Sequence, residues 1–119
     1  MRVSLWLLLA SFAGVAEAQT ARRPSATSGN ELLQACSADR NDSDFWFCLG
    51  YLTGFNQTVV ALVTIGAMKL PYCPPKEFTN RQFRNVVVSY LRAYPDQLNQ
   101  SAELLTLSAL STAYPCRKQ

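Results

Sequence analysis

The sequence predicts an all-α fold: a small four-helix domain of two antiparallel helical hairpins, each closed by a disulfide. Three observations predict it. Apolar residues recur at i, i+3, i+4 and i+7 in four segments, and no segment shows a convincing strand alternation. The segments open on capping residues, and the last three stop at a glycine or a proline. Cys36, Cys48, Cys73 and Cys116 lie at or near the ends of those segments.

The first helix is expected over 29–37. Ser28 and Glu31 fit a capping box, in which the hydroxyl accepts a backbone N–H and the carboxylate reaches back to the cap. Leu32, Leu33 and Cys36 form its apolar side. The second is expected over 43–66, after the cap residues Asn41 and Asp42 and before Gly66. Cys48, Tyr51, Leu52, Phe55, Val59, Leu62 and Val63 make its apolar stripe. Gly50 and Gly54, four apart, read as a small-residue groove where another helix of the domain packs closely. The third is expected over 80–94, with Thr79 and Gln82 as a second capping box and Pro95 as the stop. Phe83, Val86, Val87, Tyr90, Leu91 and Tyr94 form its apolar face. The fourth is expected over 100–114, capped by Asn99 and closed by Pro115. It is apolar around most of its circumference, so it is either the central helix or covered on one side by a second chain. The linker LPYCPPKEF has too many prolines for helix or central strand.

The hairpins order the cysteines. A short connection makes consecutive helices antiparallel neighbours, which sets Cys36 beside Cys48. The same argument for the third and fourth helices sets Cys73 beside Cys116. The predicted pairs are Cys36–Cys48 and Cys73–Cys116. Zinc is the rival use of four cysteines, but there is no C-x-x-C pair and no histidine. No metal and no cofactor is expected.

Residues 1–18 read as a secretion signal. Arg2 supplies the positive start, 3–15 the apolar stretch, and Ala16-Glu17-Ala18 the small-x-small site, so cleavage is expected after Ala18. Residues 19–27 read as a disordered lead-in and 28–119 as a single domain. An even number of cysteines in a short exported chain indicates disulfides and an oxidising compartment. The stretch 45–68 carries no charge and is long enough to cross a bilayer. Thr53, Gln57 and Thr64 give it a polar side that hydrocarbon would leave unpartnered, so stable membrane insertion is not expected.

The formal net charge of +3 is too weak a field to argue for nucleic acid. Enzyme chemistry finds little footing. The chain has no histidine, no G-x-S-x-G turn and no glycine-rich phosphate loop. Asp39, Asp42 and Asp44 cluster before the second helix but lack the spacing of a calcium loop, and capping accounts for them better. No catalytic residue can be named. One surface feature stands out. On the third helix Arg81, Arg84, Val88 and Arg92 project to one side at 100° per residue, with no acid among them. A solvated face is the plain reading; a partner surface is the functional one, because arginine is enriched at interfaces.

The segments ELLQACSA, FCLGYLTGF, YCPP and FRNVVVSYLRAYPDQLNQSAELLTLSALSTAYPC resemble the Rap/Tai-type immunity proteins. The resemblance runs from about Glu31 to Cys116 and includes all four cysteines, F-C-L-G-Y and the terminal Y-P-C. It implies a small periplasmic helical protein of Gram-negative bacteria. Its implied role is to bind and block an amidase effector of type VI secretion that cuts peptidoglycan peptides. It also implies a homodimer that inserts part of its surface into the effector's active-site groove. The contact candidates are Arg81, Arg84, Val88 and Arg92 together with Asp96, Gln97 and Gln100 in the following turn. The alternatives are a small periplasmic helical chaperone or stress-response protein, or an orphan module of the same fold.

Overall fold

A computed structural model describes residues 27–117. The secretion signal expected at 1–18, its cleavage site and all but the last residue of the lead-in lie outside the described residues. Four α-helices follow in order: α1 (Gly29–Cys36), α2 (Ser43–Thr64), α3 (Asn80–Ala93) and α4 (Ala102–Ala113). A single 3-10 turn, Pro95–Gln97, joins the last two. Among the described residues there is no strand, only an isolated bridge between Ser28 and Ser101.

Local chemistry explains the helix starts. Both capping boxes form: Ser28 with Glu31, and Thr79 with Gln82. The Asp42 carboxylate accepts from the Asp44 N–H at 2.9 Å and opens α2. α2 ends at Thr64, and Gly66 then takes a left-handed backbone with φ 76°. That geometry lets the Ala67 N–H reach the Leu62 carbonyl at 2.9 Å and occupy one of the helix's unpaired acceptors.

α4 starts later than its sequence suggests. Pro95 ends α3 as expected, but the chain then winds into the 3-10 turn before it can enter a new helix. The cap is therefore Ser101, whose Oγ accepts from the Leu104 N–H at 3.4 Å. Asn99 does not cap; its Oδ1 accepts from the Asn30 side-chain amide at 3.3 Å.

Both predicted disulfides are present. Cys36–Cys48 closes the α1–α2 hairpin with a Cα–Cα distance of 5.0 Å, and Cys73–Cys116 closes α3–α4 with 4.9 Å. There is no free cysteine among the described residues. On the chain-entropy view the two links contribute roughly 3 and 4 kcal/mol. The proline-rich linker is fastened beside the second link. The Cys73 N–H donates to the Tyr114 carbonyl at 2.8 Å, and the buried Tyr72 hydroxyl donates to Asn56 Oδ1 at 2.9 Å.

The core takes Leu32, Ala35 and Cys36 from α1, Cys48 and Leu52 from α2, Phe83, Val87 and Leu91 from α3, and Ala102, Leu105, Ala109 and Leu110 from α4. Each fully buried leucine is worth about 1.5–3 kcal/mol relative to exposure. α1 and α3 each pack against the three other helices, so they, not α4, are the central pair. α4 keeps one side open, with Leu104 half exposed at 50%.

α1 is only two turns long and is seated by its start. Its first two N–H groups donate to the Gln100 and Leu98 carbonyls, both at 3.0 Å. Gly29 permits this approach, since a Cβ there would meet the Leu105 side chain and stand 3.0 Å from the Leu98 carbonyl oxygen. Thr27, expected in the lead-in, already belongs to the domain: its carbonyl accepts from the Ala102 N–H at 2.8 Å.

Gly50 and Gly54 do not act as expected. Both are exposed, and a Cβ at either would meet nothing within 4 Å. No helix among the described residues fills the groove. α2 is long and apolar enough to cross a membrane by length and composition, and only 17% of its most apolar window is buried. From Gln57 onward only Val59 and Val63 turn toward the core, leaving Val60, Leu62 and Ile65 exposed.

Candidate partner-binding surface

The arginine stripe of α3 divides in three dimensions. At 100° per residue Arg84 lies about 20° from the buried Leu91 and about 60° from Arg81, so it sits at the edge of the core-facing side. Its side chain turns inward. Arg84 Nε donates to the Cys36 carbonyl at 2.7 Å and Nη2 donates to the Ala38 carbonyl at 3.4 Å. The guanidinium also lies 5.2 Å from the centre of the Phe45 ring. A cation thus meets the last carbonyl of α1, where the helix dipole is negative, and a second carbonyl just beyond the helix end. Val88, read as an apolar residue left in water, is instead half buried and packs against the core. Arg81 and Arg92 remain exposed at opposite ends of α3.

At the Arg81 end the α1–α2 loop comes alongside. Ala38, Asp39, Arg40, Phe45, Leu49, Arg81 and Arg84 line an open cleft of about 320 Å³. Arg40 was not among the sequence candidates. It lies in a different segment from α3, and only the folding of α1 against α3 brings it there.

At the other end Arg92 is followed by the turn that carries Asp96, Gln97 and Gln100. This turn is held to α1 through its backbone, by the Leu98 and Gln100 carbonyls. The Asp96 and Gln100 residues are exposed and Gln97 is half buried. The fold therefore does not collect the seven candidates into one patch: Arg81 and Arg84 lie at one end of α3, and Arg92 and the turn at the other.

A second surface lies on α2. Gly50, Tyr51, Gly54, Phe55, Thr58, Val59 and Glu103 line an apolar groove of about 410 Å³. Tyr51 Oη is enclosed without a well-formed hydrogen bond. Its phenol is held well above the ordinary tyrosine range, first by burial and then by the Glu103 carboxylate alongside. Burial also raises the Tyr72 phenol. Neither tyrosine is a base at neutral pH.

No group of three or more acids, histidines or cysteines among the described residues stands ready to hold a metal ion. What the surface offers is shape and charge: a basic cleft at one hairpin junction and a largely apolar groove on α2, with Glu103 its one charged lining residue. No curated protein and no solved structure matches the chain. The family described as Rap1a immunity proteins matches residues 28–116, from the Ser28 cap through Cys116. With that span covering the four helices and both disulfides, the chain belongs to the Rap1a immunity protein family.

Proposed function

We propose that the protein is a non-catalytic periplasmic immunity protein that occludes a peptidoglycan amidase effector of type VI secretion. The observation that carries the reading is family membership across the whole described domain. The paired cysteines agree with an oxidising compartment such as the periplasm. The 1–18 signal, cleaved after Ala18, is the proposed route there. Inhibition would be stoichiometric, with Arg81, Arg92, Asp96 and Gln100 as exposed contacts and the half-buried Gln97 beside them. Arg84 and Val88 enter this surface mainly by shaping it, since both are partly turned into the domain.

A homodimer through α2 belongs to the same proposal. The stretch 45–68 is uncharged and Gly50 and Gly54 let a second helix approach closely, with Glu103 the one charged residue in the groove lining that such a contact has to accommodate. Sedimentation of wild type against Gly54→Leu checks this: a dimer that becomes a monomer supports it, and a wild-type monomer refutes it.

The function is tested by co-expression with a panel of type VI peptidoglycan amidases. The expected result is one stable complex and loss of sacculus hydrolysis at a one-to-one ratio. An amidase panel left fully active removes the support for this reading. Mass spectrometry of the exported protein should begin at Gln19.

A further inference from the structure

We infer that the cleft between the α1–α2 loop and the first turn of α3 is a docking site for an acidic peptide segment. A glutamate or aspartate side chain of a protein partner enters between Arg40, Arg81 and Arg84. Three arginines line the cleft against a single acid, Asp39. Arginine's planar fork matches a carboxylate with paired hydrogen bonds, and the charge on both sides strengthens them. The floor is apolar: Phe45 is buried and Leu49 half buried. That suits the methylenes of an acidic side chain better than a bare inorganic anion.

The site is also built before any partner arrives. Arg84 is clamped by the Cys36 and Ala38 carbonyls, which engage two of the five guanidinium N–H groups and leave the others for a ligand. The loop that carries Arg40 is anchored three times: at the Cys36–Cys48 link, by the Asp42 N–H donating to the Asp39 carbonyl at 2.9 Å, and by the Trp46 indole donating to the Arg40 carbonyl at 3.1 Å. Little ordering of the loop backbone is then left for binding to supply, which favours affinity. Arg40 and Arg81 stand exposed at the rim, where they need not desolvate until the partner seats. The cleft is short and local, so it fits one or two side chains rather than a nucleic-acid backbone.

This inference deepens the immunity reading by naming the chemistry of the partner's contact, and rests on that reading only for which protein supplies it. The probe is an acetylated, amidated hexaglutamate peptide, with hexaglutamine as control, titrated into the mature protein by amide NMR. The expected result is saturable shifts at residues 38–45 and 81–84 with hexaglutamate alone, weakened about tenfold by the double change Arg40→Gln/Arg81→Gln. Both arginines are exposed, so this variant should keep the wild-type melting temperature. Shifts centred on Arg92, equal binding of hexaglutamine, or undiminished binding by the double variant overturns the cleft. With an amidase that binds wild type, undiminished capture by the double variant also overturns the cleft and leaves the immunity reading standing. If no amidase binds, the immunity reading fails, and the peptide titration still decides the cleft.

Discussion

Arg84 of α3 donates from Nε to the Cys36 carbonyl at 2.7 Å, tying the third helix to the C-terminal end of the first. Cys36 is also the residue whose sulfur holds α2. Three helices therefore meet at one residue. Arg84→Met keeps the length of the side chain but leaves the Cys36 and Ala38 carbonyls without their charged donor. A cost of about 1.5–3 kcal/mol is expected in urea denaturation, as for hydrogen bonds to a charged group. Arg84→Lys should recover only part of it, because an ammonium cannot reproduce the fork. An unchanged midpoint in the methionine variant would show that the clamp is not structural.

The glycines should respond in opposite directions. Gly29→Ala places a methyl against Leu105 and the Leu98 carbonyl, and overpacking of this kind costs about 1–3 kcal/mol. Gly50→Ala meets open space inside a helix, where alanine is favoured by about 0.8–1 kcal/mol. Thermal melts at a concentration where wild type is monomeric should rank the alanine at 50 above wild type and the alanine at 29 below it.

Alkaline stability should depend on Tyr51. Its phenol pKa is raised in the folded protein above the ordinary value of 10.0. Above about pH 10 the unfolded chain then releases a proton that the folded chain keeps, so stability falls as pH rises further. Below that pH the contribution is fully present. Tyr51→Phe should flatten the fall in melting temperature between pH 9 and 11, and Glu103→Gln should lessen it by removing the neighbouring carboxylate. Tyr72 adds to the same trend, so a residual slope is expected in either variant. A wild-type slope kept intact in Tyr51→Phe would contradict this assignment.

Thr106 is fully buried and its Oγ1 has no hydrogen-bond partner. Valine has nearly the same shape without the unpaired hydroxyl. Thr106→Val should therefore raise stability by about 1 kcal/mol, the cost of leaving such a group unsatisfied. A fall in the denaturation midpoint would mean that the hydroxyl has a partner after all.

The four helices, the caps of the first three and the Cys36–Cys48 pair were legible because they rest on neighbours in the chain, and Cys73–Cys116 followed from the hairpin that α3 and α4 form. Ser28 with Glu31 and Thr79 with Gln82 are read three residues apart, and short connections bring Cys36 to Cys48. The packing glycine was not legible. Gly50 and Gly54 have the spacing of a groove, but α2 is apolar on nearly every side, and periodicity cannot say which side is covered. Gly29 carries no pattern; its role comes from Leu98 and Leu105, far along the chain. The arginine stripe was legible as a helix face only. A long side chain at its edge can bend toward the core, as Arg84 does, and Arg40 reaches the cleft through tertiary contact alone. Asn99 failed as a cap because Pro95 starts a tighter turn that postpones α4.

The two disulfides join first to second and third to fourth cysteine, and neither crosses between the hairpins. A chain that enters an oxidising compartment amino end first can therefore close Cys36 to Cys48 before Cys73 has emerged. Each new thiol meets its correct mate as the next cysteine still unpaired. For a chain exported in that way the order of arrival would be the order of pairing, and oxidation would keep pace with translocation.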